Sequence, residues 1–401
     1  MFCYISAIKG EIYTKNIDFI CKICDNINMK KIAIFGGTFN PVHSEHIALV
    51  KSAIKELGLD KLIVMPTYIS PHKNHKPAPA EDRLNMLKLA FEGVDKVEVS
   101  DYEILKQGKS YTYQTVEHFY SQGQTLYFLV GGDMLVDFKT WRYPERILEK
   151  ATLAVFGRDT VGVDYQKEQE YFRKTFSKEF VKLDIEGKDY SSTKIRTYFK
   201  LNLPLGDLMP QSVCEYVKSN KVYEPDEYEK FILRVLPEHR IKHTADVVIT
   251  ALKKARELGL DPEKVRISAT LHDSAKYLDQ NEVKGFEIDG DVPKPVVHAF
   301  LGAFVAQNYL GITDDEIIDA IRYHTSGKAD MTTLGKLIFV ADMVEEGRVY
   351  EGVDKLRELY ENADFEKCFI ECLKEEFVHL VNKKAVIYYQ TINAINYYVK
   401  D

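Results

Sequence analysis

Two histidines that are three residues apart, His43 and His46, follow a glycine pair at the end of a predicted strand. The strand runs from Lys31 to Phe35, and Gly36 and Gly37 come directly after it. Glycines at a strand end let the backbone approach a phosphate closely, and the N-terminus of the next helix favours an anion. Imidazoles at this spacing lie on one helix face and can donate hydrogen bonds to developing charge. This segment therefore predicts a site for phosphate chemistry.

A second cluster of phosphate-binding residue types lies far downstream. Ser192 and Thr193 stand at the start of a predicted helix, and Lys194 and Arg196 follow in its next turn. Hydroxyl groups and cations at a helix start can cradle a phosphate. The alternative is an ordinary helix cap beside two solvated cations, and the cluster alone leaves both interpretations open.

The second half of the chain carries a series of metal-binding residue types. We expect each of them to lie on a helix, and the set comprises His243, His272, Asp273, His298, His324 and Asp342. An adjacent His-Asp pair lets one carboxylate bridge two ions while the imidazole binds one of them. Mixed imidazole and carboxylate ligands suit iron, manganese or zinc. Two such ions about 4 Å apart can activate water and hold a phosphate, so the series predicts a two-metal phosphohydrolase site.

The elements that must position these residues differ between the two halves. Five apolar runs read as buried parallel strands, with amphipathic helices between them: residues 32–35, 62–65, 97–99, 126–130 and 153–156. This alternation predicts a doubly wound α/β domain over residues 29–222. Beyond residue 226, helical periodicity dominates in segments that include residues 247–258, 296–309, 314–323 and 334–344, which predicts an all-α domain over residues 226–401.

The first 28 residues show no clear pattern, and Met29 stands directly before the first strand. We therefore expect residues 1–28 to be either an N-terminal extension or the result of an upstream choice of start codon, and whether they are native stays open. Cys21 and Cys24 form a lone C-x-x-C there, and we expect two free thiols because no second pair is near.

Composition excludes several classes of protein. The net charge of −7 argues against broad binding to nucleic acids or acidic membranes. No apolar run approaches the roughly 18 residues of a membrane span, and six cysteines in 401 residues do not form a disulfide framework. We expect a cytoplasmic, reduced protein without nucleic-acid or membrane partners, and the oligomeric state stays open.

The two clusters of the first half resemble the nucleotidyltransferase family with an early H-x-G-H motif and a late I-S-S-T-x-I-R motif. Three intervening segments are more specific, because residues 66–73, 110–112 and 131–134 resemble those of bacterial nicotinate-nucleotide adenylyltransferases, and Trp141 follows them. The resemblance implies adenylyl transfer from ATP, with Mg²⁺, to nicotinate mononucleotide. The products would be deamido-NAD, an intermediate of NAD biosynthesis, and pyrophosphate.

The resemblance also implies residue roles. His43 and His46 would contact the ATP phosphates, and Lys73 and Arg196 would neutralise phosphate charge. Asp133 would contact adenosine, Thr112 would lie at the mononucleotide site, and Trp141 would stack near the nicotinate. The remaining binding positions are Gly36, Gly37, Thr38, Phe39, Gly132, Ser192 and Thr193.

Two residues depart from the family pattern. Glu45 stands where glycine is usual, and its carboxylate either points to solvent or raises the pKa of both histidines. Asn40 stands where aspartate is common.

The second half resembles the HD superfamily of phosphohydrolases. Residues 240–244, 271–276, 322–327 and 341–343 resemble bacterial HD proteins that cleave diadenosine tetraphosphate symmetrically into two ADP. The resemblance implies that the six metal ligands hold two transition-metal ions, with iron favoured, and that Asp273 is catalytic. Lys276 and Arg348 would bind the polyphosphate, although Arg348 reads equally well as a surface cation. His239, His379, Cys368 and Cys372 fall outside the pattern and are expected to be structural.

The functions expected for both halves have alternatives. The first half could use another acceptor, such as nicotinamide mononucleotide or phosphopantetheine. The second half could be a general nucleotidase or a nucleotide sensor that regulates the first, since HD sites share ligands across many substrates.

Overall fold

A computed structural model describes residues 29–69, 77–157, 163–185, 191–288, 291–362 and 364–399. The described residues divide into two compact units. One comprises the residues up to Ser192 together with Gly206–Val222, and the other comprises Thr193–Leu205 and the residues from Tyr223 onward. The proposed extension, the C-x-x-C pair and Lys73 lie outside the described residues.

The first unit is built on a parallel sheet of six strands. In chain order they are β1 (Lys30–Gly37), β2 (Lys61–Pro66), β3 (Val97–Val99), β4 (Gln124–Gly131), β5 (Thr152–Phe156) and β6 (Val181–Leu183). Their order across the sheet is β3-β2-β1-β4-β5-β6. This confirms the doubly wound fold, in which ligands bind where the strand order reverses, at the carboxyl ends of β1 and β4.

The five strands predicted from apolar runs are all present. The sixth, β6, escaped prediction because two of its three residues are exposed, so no buried run marks it. Helices alternate with the strands: α1 (Ser44–Leu57), α2 (Ala80–Ala90), α3 (Tyr102–Lys106), α4 (Thr112–Phe119), α5 (Gly132–Asp137), α6 (Pro144–Leu148) and α7 (Tyr165–Phe176). After β6, helix α8 (Ser192–Lys200) has its first residue in this unit and the rest in the second unit, and α9 (Gln211–Ser219) lies in the first unit. A core cluster that includes Ile34, Ile63 and Phe128 packs against one face of the sheet.

The second unit is helical, as predicted. Its helices are α10 (Glu227–Val235), α11 (Glu238–Ala255), α12 (Pro262–Leu271), α13 (Lys294–Asn308), α14 (Asp315–Tyr323), α15 (Thr333–Val344), α16 (Val353–Asn362), α17 (Phe365–Asn382) and α18 (Tyr389–Tyr398). Side-chain caps from Asp261, Asp314 and Thr332 start α12, α14 and α15. Within the described ranges, no helix is both long and apolar enough to cross a membrane.

Two sequence-based expectations about these helices were wrong. Helix α11 begins at Glu238, nine residues before the predicted start, because residues 238–246 are mostly polar and hide the apolar period. His272, Asp273 and His324 do not lie within helices. His272 and His324 cap the ends of α12 and α14, and Asp273 lies in the following turn.

Candidate active sites

The histidines of the first motif form a stacked pair at the start of α1. His43 is the N-cap residue and is only 2 % exposed, and its ring centroid lies 3.6 Å from that of His46. The backbone N–H of His43 donates to Nδ1 of His46 at 3.2 Å. A neutral His46 therefore carries its proton on Nε2, where it can donate to an anion. Nearby, the peptide bond between Asn40 and Pro41 is cis.

Glu45, which replaces the family glycine, does not point to solvent. Its side chain is 3 % exposed, so that alternative is wrong. Glu45 shares the buried face of α1 with Leu49, Ala53 and Leu57, at the four-residue spacing of one helix face. The other departure, Asn40, accepts a hydrogen bond through Oδ1 from the backbone N–H of Ala78 at 3.0 Å.

The glycine pair at the end of β4 leaves room for two polar side chains. A Cβ on Gly131 would lie 2.6 Å from Oδ1 of Asp133, and one on Gly132 would lie 2.7 Å from the Tyr165 hydroxyl. A larger residue at either position would displace these groups. Gly132 and Asp133 were predicted site residues, whereas Gly131 and Tyr165 were not. The sequence signal for Gly131 is its place in the segment 131–134, which resembles the adenylyltransferase family.

One residue of the late I-S-S-T-x-I-R motif, Ser192, contacts the segment that carries the early histidine motif. Ser192, at the start of α8, donates a hydrogen bond through Oγ to the carbonyl of Pro41 at 3.0 Å. Thr193 lies next in the same helix and accepts a hydrogen bond from the Arg196 guanidinium at 3.2 Å.

Two positions predicted for the nicotinate side lie on neighbouring elements. Thr112 is the first residue of α4. Trp141 is 8 % exposed and packs edge-on against Phe128, within the core cluster of the first unit. The roles of both stay predictions.

Arg83 on α2 is a residue that sequence reasoning missed. It is 1 % exposed, and its guanidinium donates to the carbonyls of Thr38, Thr67, Tyr68 and Ala78 at 2.7–3.3 Å. Thr38 follows β1, and Thr67 and Tyr68 follow β2. One buried cation thus holds together the two loops that leave adjacent strands at the candidate site. An isolated arginine in a helix pattern gives no signal of this role.

Replacing Arg83 with alanine should destabilise the chain and weaken substrate binding by the first half. Each buried carbonyl left without a donor costs about 1–3 kcal/mol, so we expect a loss of roughly 3 kcal/mol or more. Urea unfolding and the KM for ATP would measure both effects. Lys88→Ala, on the exposed face of the same helix, is the matched control. An Arg83→Ala protein as stable as this control would contradict the interpretation.

The predicted metal ligands of the second half converge on one point. Five elements supply them: α11, the ends of α12 and α14, α13 and α15. The Nε2 atoms of His243 and His272 lie 3.3 Å apart, and those of His298 and His324 lie 3.4 Å apart. Three overlapping groups of three ligands satisfy the spacing of a metal site, with all ligand atoms of a group within 4.8 Å of one another. These residues could hold more than one divalent cation.

The orientation of the imidazoles fits metal binding. Nδ1 of His272 donates to the carbonyl of Ala269 and Nδ1 of His324 to that of Ile321, both at 2.7 Å. These bonds place the proton on Nδ1 and leave the Nε2 lone pair facing the cluster, as a metal ligand requires. Burial lowers the pKa of His272 to about 3, so this ring is neutral at physiological pH.

Asp273 lies between the two halves of the cluster. Its Oδ1 is 3.0 Å from Nε2 of His298 and 3.5 Å from Nε2 of His324, and its Oδ2 is 3.9 Å from Nε2 of His243 and of His272. Burial raises the pKa of this carboxyl, but its hydrogen bonds with His298 and His324 hold the pKa well below the usual range. An ionised carboxylate in this position has the geometry to bridge two cations.

Three cations adjoin these ligands. Nζ of Lys276 is 3.1 Å from Nε2 of His298 and 3.4 Å from Oδ1 of Asp273. Arg348 pairs with the Asp342 carboxylate and donates to its backbone carbonyl, so it is fixed at the cluster and differs from a freely solvated cation. Arg240, which sequence reasoning left without a role, donates to Oδ2 of Asp273 at 3.0 Å. The cations can balance the negative charge of a phosphate substrate.

Glu345 supports a predicted metal ligand, His243, without being a ligand itself, and sequence reasoning missed this contact as well. It is 3 % exposed, and its Oε1 accepts a hydrogen bond from Nδ1 of His243 at 3.0 Å. Burial lowers the pKa of His243, but hydrogen bonds to Asp342 and Glu345 outweigh it and raise the pKa to about 9. Arg357 holds the segment in place by donating to the carbonyls of Val344, Glu345, Glu346 and Arg348. The carboxylate thereby fixes the ring so that Nε2 faces the cluster.

Replacing Glu345 with glutamine should weaken metal binding by about 10- to 100-fold, the usual effect of removing such an outer-shell partner. Chelator competition on the full chain, with bound metal quantified, would measure it. The control is Glu346→Gln, because that neighbouring side chain is 75 % exposed and pairs only with Lys194 among its described ion pairs. Equal metal affinity in the two variants would show that Glu345 does not contribute to metal binding.

Comparison with known proteins gives relatives for both halves. A family model described as cytidylyltransferase-like matches residues 34–198, and an HD domain model matches residues 240–347. The chain is 43 % identical over 202 residues to a "Probable nicotinate-nucleotide adenylyltransferase" of Clostridium tetani, a match that covers 49 % of this chain and all of the relative. It is 29 % identical over 329 residues to a "Probable nicotinate-nucleotide adenylyltransferase/Ap4A hydrolase" of Mycoplasma genitalium, a match that covers 80 % of this chain and 89 % of the relative.

Among solved structures, one similar protein is described as a "predicted HD superfamily hydrolase involved in NAD metabolism" of Clostridium acetobutylicum. It is 30 % identical, with a TM-score of 0.40, and the match covers 43 % of this chain and 96 % of that one.

Proposed function

Because this chain belongs to the nicotinate-nucleotide adenylyltransferase family, we propose that residues 29–222 transfer the adenylyl group of ATP to nicotinate mononucleotide. The products are deamido-NAD and pyrophosphate. The stacked pair of His43 and His46 beside the carboxyl end of β1 is the observation that best supports the proposal.

This reaction needs no protein nucleophile. The phosphate of nicotinate mononucleotide attacks the α-phosphate of ATP, the bond to the leaving pyrophosphate breaks, and Mg²⁺ accompanies ATP as part of the substrate. The chain contributes positioning and charge stabilisation. His46 donates from Nε2 to a phosphate oxygen, and His43 lies against it as a second donor. The family resemblance implies that Ser192, Thr193, Arg196 and Lys73 would also contact phosphate groups.

The acceptor can be tested by a side-by-side assay. The purified full chain is incubated with ATP, Mg²⁺ and, in separate reactions, nicotinate mononucleotide, nicotinamide mononucleotide or phosphopantetheine. A higher kcat/KM for nicotinate mononucleotide supports the proposal. A preference for either of the other acceptors would support adenylyl transfer but contradict nicotinate mononucleotide as the substrate.

For residues 226–401 we propose metal-dependent, symmetrical hydrolysis of diadenosine tetraphosphate to two ADP. The convergence of four imidazoles and two carboxylates supports a metal-dependent hydrolase, and the name of the Mycoplasma genitalium relative supports the dinucleotide substrate. Two transition-metal ions, with iron favoured, fit this mixed donor set. Bound ions of this kind would supply Lewis acidity and neutralise phosphate charge.

The protein's own groups then have defined tasks in the proposed hydrolysis. His243, His272, His298 and His324 would hold the ions through Nε2, and Asp342 and Asp273 would add carboxylate ligands. Lys276 and Arg348 contact the tetraphosphate. Arg240 orients Asp273 through the hydrogen bond to Oδ2.

A further inference from the structure

A cavity of about 480 Å³ adjoins the metal-ligand cluster of the second unit. Two of the ligands, His324 and Asp342, form part of its wall. Its size lies within the range of about 300–1,000 Å³ that small-molecule sites occupy. The cavity is therefore large enough for part of a substrate whose reacting phosphate lies at the ligands.

The cavity wall is unevenly charged. The segment after α15 contributes Arg348, which is bonded to Asp342. Helix α17 contributes Glu375, Glu376 and His379, which lie on one helix face at the three- and four-residue spacing. Glu351 adds a third carboxylate. A phosphate is attracted to Arg348 and would be attracted to ions held by the metal ligands, but these three carboxylates repel it.

An aromatic ring stands at the edge of the same cavity. Tyr350 is 36 % exposed, and its hydroxyl donates to the carbonyl of Met343 at 2.9 Å, which fixes the ring. Fixed, exposed aromatic rings are surfaces on which nucleobases stack. Carboxylates accept hydrogen bonds and do not donate them, so they suit ribose hydroxyls and an exocyclic amino group.

We propose that this cavity is the nucleoside subsite of the rear hydrolase, a proposal that rests on the proposed dinucleotide substrate. It holds the uncharged ribose and base of one half of the substrate. Glu375 and Glu376 accept hydrogen bonds from that half, and Tyr350 stacks on the base. Arg348 marks the point at which the nucleoside ends and the phosphate chain begins.

The test compares Glu376→Gln and Glu375→Gln with the unaltered chain, each as the full metal-loaded protein. With diadenosine tetraphosphate we expect KM to rise about tenfold in at least one variant, because a charged acceptor is lost. The bound metal and the inhibition constant of inorganic pyrophosphate should stay unchanged. Glu371→Gln is the matched control, since its carboxylate lies on α17, pairs with Lys374 and does not line the cavity.

A wild-type KM in both variants would overturn the subsite. A parallel rise in KM and in the pyrophosphate inhibition constant would also overturn it, because it would show that the variants disturb the phosphate and metal region instead. If the unaltered chain leaves diadenosine tetraphosphate intact, the proposed substrate fails. In that case, equilibrium dialysis of ADP against the same proteins tests whether the cavity binds a nucleoside. A tenfold weaker affinity in a variant supports it, and equal affinity overturns it.

Discussion

The His43→Ala chain is expected to lose deamido-NAD synthesis while it still hydrolyses diadenosine tetraphosphate. His43 is buried at the start of α1 and stacks on His46. Removing one preorganised donor to developing charge lowers kcat on the order of 10²- to 10³-fold. The variant would also lose the stacking contact to His46, although the backbone N–H of residue 43 could still donate to Nδ1 of that ring. Coupled assays of both activities on one preparation would measure the effect.

A second variant separates catalysis from folding at this position. Asn is among the residues preferred at a helix N-cap, so His43→Asn should keep α1 stable but still lack the imidazole. We expect it to unfold at the urea concentration of the unaltered chain and to be as inactive as His43→Ala in the transfer reaction. If both variants lost both activities together, the two sites would not be independent.

The second large effect is expected from Asp273→Asn in the rear half. The amide keeps the size of the side chain but removes the charge that faces four imidazole nitrogens. Metal sites contribute several kcal/mol of transition-state stabilisation, so hydrolysis should fall on the order of 10³-fold. Bound metal, quantified after desalting, should fall as well. Deamido-NAD synthesis should be unaffected.

Asp315→Asn is the control for this change, because Asp315 is an exposed residue in the first turn of α14. It should retain both activities and the full metal content. A chain with Asp273→Asn that kept its metal and its hydrolase activity would show that this carboxylate does not bridge the ions.

Much of the fold followed from the sequence because buried strands and helix faces leave periodic apolar patterns. The sheet, the helical second half and the family resemblance are all confirmed. The exceptions have physical causes. Strand β6 is short and mostly exposed, and the start of α11 is mostly polar, which hides its apolar period.

The candidate sites were less predictable than the fold, because the roles of their supporting residues depend on packing. Arg83 resembles any helical surface cation in sequence, yet it is buried among four carbonyls. The position of Glu45 along α1 allows its side chain to face either solvent or the protein core. The structure shows that the side chain is buried with the core-facing residues of the helix. Glu345 stands three residues after the predicted ligand Asp342, but its contact to His243 spans 102 residues.

The central claim is that one chain carries an adenylyltransferase and a symmetrical dinucleotide hydrolase. The most direct test incubates the full, metal-loaded chain with diadenosine tetraphosphate and separates the products by chromatography, alongside the same incubation of the Asp273→Asn variant. The account predicts two ADP from each dinucleotide consumed, formed on the order of 10³-fold more slowly by the variant. ATP plus AMP, or no cleavage with iron or manganese present, would contradict it.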